Sequence, residues 1–93
     1  MHIYVIGTDE KQKIGYSGDV EKRLSTLQTG NAEKIRIHHK IEVAPERARK
    51  IEKKIHDEYR YLMIRGEWFN MKPEQATSIL EYAKIRWSED TLL

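Results

Sequence analysis

The chain has 93 residues, enough for one domain and too few for two. Apolar residues make up 39% and charged residues 34%, a folded rather than a disordered composition. With no cysteine, neither a disulfide framework nor a zinc–thiolate site can reinforce the core. No apolar run approaches a membrane span, and strand-like residues begin at once, so no signal peptide is expected. The net charge of +2 is by itself only a faint pointer to nucleic acid, although the basic residues crowd into the first two thirds of the chain.

His2 to Ile6 alternates and is β-branched, with Ile3 and Val5 on one face and Tyr4 and Ile6 on the other. Gly7 to Glu10 reads as a turn and Lys11 to Tyr16 as a second strand, so the two form an antiparallel hairpin. Ser17-Gly18-Asp19 supplies a helix cap, and a first helix is predicted from Asp19 to Gln28. Its apolar stripe is Val20, Leu24 and Leu27, and the spacing assigns Arg23 to that same inward stripe. Gly30 ends the helix.

The third strand alternates most cleanly. Ile35, Ile37, His39, Ile41 and Val43 are expected on one buried face, with Arg36, His38, Lys40 and Glu42 on a charged outer face. His39 then reads as a partly buried structural histidine and His38 as solvent-facing. Pro45 suits the first position of a second helix, predicted to Leu62, with Ala48, Ile51, Ile55, Tyr59 and Leu62 inward. Glu52 borders that stripe and His56 lies one turn further on the same face. Trp68 and Phe69, beside Gly66, are expected to close the core. A third helix runs from about Pro73 to Trp87, and 88–93 reads as a frayed tail. The expected fold is therefore a small α+β domain spanning 1–93, with its core over about 2–87. Three antiparallel strands are flanked by three helices in the order β-β-α-β-α-α, with a short extended piece before the last helix.

Several of these residues resemble a known pattern when taken together. Ile3-Tyr4-Val5 is followed by Lys13-Ile14-Gly15 with Ser17, then Arg23-Leu24 with the arginine eight residues after that glycine. Glu52 through His56 has the form E-x3-H, and Gly66-Glu67-Trp68-Phe69 follows. Over residues 3–70 this order resembles the GIY-YIG nuclease superfamily, and more closely its compact phage and bacterial branch. Two departures stand out: the first-motif glycine is absent, and Lys13 occupies the place of the second tyrosine, as it often does in that branch.

The resemblance implies metal-dependent cleavage of phosphodiester bonds in DNA, with magnesium as cofactor and manganese as a possible substitute. It implies that Glu52 holds the metal, Arg23 grips the phosphate, and Tyr4 with Lys13 assists the nucleophilic water. His56 would steady Glu52 or pass a proton. Ser17, Lys22, Arg36 and Asn70 would contact the substrate, Asn70 being the nearest counterpart of the superfamily's late asparagine. A phage-encoded protein of a bacterial cytoplasm is also implied, with DNA as partner and no membrane. The residues alone leave other readings open. Tyr4 could be a core aromatic, Arg23 an ion-pair partner of Glu52, and the whole domain a catalytically silent module that binds nucleic acid or protein.

Overall fold

The computed structural model of the chain describes residues 1–87, so the expected tail over 88–93 lies outside the described residues. Its elements are β1 (His2–Gly7), β2 (Lys11–Ser17), α1 (Val20–Thr29), β3 (Arg36–Glu42), α2 (Pro45–Glu58), β4 (Met63–Arg65), β5 (Trp68–Asn70) and α3 (Pro73–Trp87). A short 3-10 turn, Arg60–Leu62, joins α2 to β4. No helix among the described residues is long and apolar enough to cross a membrane.

The sheet is antiparallel and has five strands, in the order β3-β1-β2-β5-β4, where three were expected. The predicted β1–β2 hairpin and β3 are all present. The extra pair comes from the segment read as a short extended piece. Gly66 takes φ +57, a conformation that primed two-residue hairpin turns demand of their first residue, and Arg65 pairs with Trp68 across it. The aromatic strand β5 then docks on β2 over Lys11–Lys13. The second helix stops at Glu58 rather than Leu62: Tyr59 departs to φ −111, and Asp57 gathers Lys53 and Arg60 around the end.

Both faces of the interior strand β1 are covered, which matches the alternation of its residues. Ile3 and Val5 join Ile51, Ile55, Phe69, Leu80 and others beneath α2 and α3. Tyr4 and Ile6 join Val20 and Ile35, with Leu24, Leu27 and Trp68 packed against them, beneath α1. Phe69 is fully buried as expected, but Trp68 is only half-buried and belongs to the smaller cluster.

The third strand corrects the sequence reading in a further way. Val5 pairs with His39 and Ile6 with Ile37, so one residue, His38, is extra on β3 and forms a bulge. A bulge reverses the alternation. Ile35 and Ile37 pack on the α1 side, whereas Ile41 and Val43 pack on the other side, so the five residues do not share one face. His38 does not simply meet solvent. Its Nε2–H donates to the Thr8 carbonyl at 2.9 Å, tying the bulge to the β1–β2 turn. His39 is the structural histidine expected, 2.6 Å from Glu81 on α3.

Candidate active site

The site forms where β2 outlasts its neighbour. Strand β5 pairs with β2 only at Lys11–Lys13, and the last link on that side is the Ile14 amide donating to the Glu67 carbonyl at 3.2 Å. Beyond it, residues 15–17 of β2 have no strand on that edge among the described residues. Helix α2 covers the gap: His56 Nε2–H donates to the Ile14 carbonyl at 2.7 Å, while the His56 ring packs edge-on to Phe69 at 5.1 Å. His56 is thus a strut between helix and strand. The nitrogen that faces the sheet is thereby engaged by the backbone. One turn earlier on α2, the strut carries Glu52 to the edge of the sheet.

Gly15 lies at the centre. It pairs with Tyr4, and a Cβ built on it would lie 2.6 Å from Tyr4 Oη and 3.0 Å from Glu67 Oε1. Only glycine leaves room for both oxygens. Glu67 sits in the two-residue turn between β4 and β5 and reaches back to Lys13, whose Nζ is 3.3 Å from Glu67 Oε1 and 5.6 Å from the centre of the Trp68 ring.

The charges around Gly15 act strongly on one another. Glu52 is pushed up from 4.5 to about 7, first by burial and then by the Glu67 carboxylate; Lys13, Arg23 and Arg49 pull only partly in the other direction. Tyr4 is pushed up to about 12, chiefly by burial, with Glu67 and Glu52 adding to the rise and Arg23 opposing it. A cation beside a phenol favours its ionisation, but here desolvation wins and the phenol stays neutral at ordinary pH. Tyr4 is both a core aromatic and a member of the cluster. Its ring is fully buried, and its hydroxyl feels the nearby Arg23 but makes no hydrogen bond to the described residues.

Arg23 is exposed, not buried on the inward stripe as predicted. It lies about 60° round the helix from Val20, and the long side chain runs out along that flank to the rim of the cluster. There it lines a shallow hollow of about 190 Å³ with Ser17, Lys22 and Asp19. Ser17 also works structurally: its hydroxyl donates to the Asp19 carbonyl and accepts from the Asp19 amide, and the Asp19 side chain then caps α1 at the Lys22 amide. The structure therefore brings together Tyr4, Lys13, Arg23 and Glu52, with Ser17 and Lys22 at the margin.

Arg36 and Asn70 are not part of this group. Arg36 is at the far end of the hairpin, opposite Gly7 and 4.0 Å from Asp9. Asn70 pairs with Lys11 and lines a separate hollow with Thr8 and Glu33. Glu67, by contrast, is a member that the sequence reading missed. It entered only as one residue of the Gly66-Glu67-Trp68-Phe69 segment of the resemblance, with no role assigned, although a carboxylate between a turn glycine and two aromatics has little reason to be there for packing.

The donor set suits a hard divalent cation. Two carboxylates, one of them half-buried and pushed up to about 7 first by burial and then by the other, lie in a partly desolvated place, and oxygen ligands are those magnesium takes. No group of three or more His, Cys, Asp or Glu side chains with metal-binding geometry occurs among the described residues. A cation here would accordingly keep several waters.

The sheet edge of this small α+β domain thus gathers two cations, two carboxylates and a buried phenol. The chain belongs to the T5orf172 domain family, which it matches over residues 1–85. That family is nucleic-acid-associated and nuclease-like. The match corrects the resemblance drawn from the motifs. T5orf172 is a different family from the GIY-YIG nucleases, though distantly related domains exist, and no GIY-YIG match is found. The five short segments that carried the resemblance are too brief to separate one family from another at that distance. No curated protein and no solved structure matches the chain.

Proposed function

We propose that this chain is a divalent-metal-dependent endonuclease that hydrolyses phosphodiester bonds in DNA, using magnesium or, in its place, manganese. The observation that carries this reading is the convergence of Glu52, Lys13, Arg23 and the unpartnered Tyr4 hydroxyl around Gly15 at an accessible sheet edge.

Glu52 would hold the metal, which when bound supplies Lewis-acid polarisation of the phosphate and a water of lowered pKa. Arg23, exposed at the rim, offers a planar fork that matches two phosphate oxygens. Lys22 and Ser17 share its hollow and extend the grip along the backbone. Lys13 is a compact cation inside the cluster and offsets charge that develops on the phosphate. Tyr4, neutral and pointing a free hydroxyl into the site, donates a hydrogen bond that orients water and does not itself act as base. Phosphate contacts dominate such a surface, so DNA binding should weaken steeply with salt and show little sequence preference.

The test is nicking of supercoiled plasmid and cleavage of single-stranded DNA with magnesium, manganese or EDTA. Wild type is compared with Glu52→Ala and Arg23→Ala. Metal-dependent cleavage lost in both variants supports the proposal. Cleavage that survives both sinks this site. Absence of cleavage with every metal, alongside retained salt-sensitive binding, would instead make the chain a binding module without turnover.

A further inference from the structure

Glu67 is placed with more care than a surface carboxylate needs. Its carbonyl accepts from the Ile14 amide, its side chain reaches Lys13 at 3.3 Å, and Gly66 provides the positive φ that turns the chain back toward β2. Its Oε1 and the Tyr4 hydroxyl approach the same point above Gly15, at 3.0 and 2.6 Å from where a Cβ would lie. Its charge is felt by both Glu52 and Tyr4. A salt bridge to Lys13 alone would require neither the glycine beneath it nor a phenol, fully buried in an otherwise apolar cluster, left without a hydrogen-bond partner.

Resting on the metal-dependent reading above, we propose that Glu67 is the second carboxylate of a divalent-cation site shared with Glu52, and that the Tyr4 hydroxyl donates to a water held by that cation. The arrangement accounts for both oddities. The cation draws together two carboxylates that otherwise repel, and the cation-held water satisfies the orphaned hydroxyl. Lys13 is the occupant that the cation replaces. In the metal-free protein its ammonium neutralises Glu67; with the cation bound, that ammonium is released to face phosphate. Glu67 thus couples metal binding to the availability of Lys13 for substrate.

The probe is manganese alone, titrated into the full chain without DNA and followed by loss of the free-ion electron paramagnetic resonance signal. One ion per chain is expected for wild type. Glu67→Gln and Glu52→Gln should each weaken binding on the order of tenfold or more, as removal of one of two carboxylate ligands does. Lys13→Met should tighten manganese binding more when Glu67 is present than when Glu67 is Gln. Thermal melts check that each variant is folded, and the near-isosteric glutamines preserve the turn. Manganese binding as tight in Glu67→Gln as in wild type, or no binding by wild type up to about 10 mM, overturns the shared site. The plasmid assay separates this from the nuclease reading. Glu67-dependent manganese binding without cleavage leaves the site standing and removes the activity. Cleavage with Glu67-independent manganese binding does the reverse.

Discussion

Replacing Glu52 by glutamine should make the protein more stable while removing its proposed function. Glu52 titrates at about 7 in the folded chain against 4.5 for the ordinary side chain, because burial and Glu67 both oppose its charge. A raised carboxyl pKa means that the folded state holds the proton more tightly than the unfolded state. The associated stability is fully present below about pH 4.5 and is lost as pH rises through about 7. By linkage alone the loss at pH 8 would be about 3 kcal/mol; for a side chain still partly in contact with solvent, roughly 1–2 kcal/mol is a better figure. Glutamine carries no charge and suffers no such loss. In EDTA at pH 8, Glu52→Gln should therefore exceed wild type by roughly 1–2 kcal/mol in urea unfolding, or about 5–10 °C in Tm for a domain of this size. Near pH 5 the gap should shrink to roughly 0.5 kcal/mol. Excess magnesium at pH 8 should raise the wild-type Tm by more than that of the variant. A gap that is the same at both pH values would refute the reasoning, since it would mean that Glu52 is not held against the charge of its neighbours.

Other variants probe the remaining members. Tyr4→Phe removes a buried hydroxyl that has no protein partner, so stability measured by urea should change by less than about 1 kcal/mol while any metal-dependent cleavage falls at least about tenfold. Gly15→Ala pushes a methyl between Tyr4 and Glu67 and should cost about 1–3 kcal/mol in urea unfolding as well as cleavage. His56→Ala breaks the link to the Ile14 carbonyl and the contact with Phe69, with an expected loss of about 2–3 kcal/mol; amide hydrogen exchange near Ile14 and Gly15 should quicken. Arg23→Ala, at an exposed position, should leave Tm within a few degrees, weaken DNA binding, and lower the salt slope by about one phosphate contact.

Period-two and helical patterning carried most of the elements. The hairpin, the capped first helix, the second helix after Pro45 and the third after Pro73 are local events, each governed by residues adjacent in sequence. Tyr4 and Ile6 on one face, Ile3 and Val5 on the other, were likewise legible, because a strand buried on both sides still alternates. What failed depended on pairing. The bulge at His38 leaves no mark in an alternating string, since its existence is a matter of register against β1. Strands β4 and β5 have only three residues each and acquire their identity from β2.

The site divides in the same way. Tyr4, Lys13, Arg23 and Glu52 could be picked from the sequence as chemistry-bearing side chains on neighbouring elements. Their electrostatics could not, because a pKa depends on burial and on charges from distant segments: Tyr4 rises where a nearby cation suggested a fall, and Arg23 lies at the rim rather than beneath the helix. His56 could be placed one turn from Glu52, but its link to the Ile14 carbonyl depends on the free edge of β2. Glu67 entered the cluster through a turn that exists because β5 found β2. The sequence by itself thus determined which groups are available and which elements carry them. The tertiary structure decided which of them meet, since whether two charges interact depends on their separation in space and the water left between them.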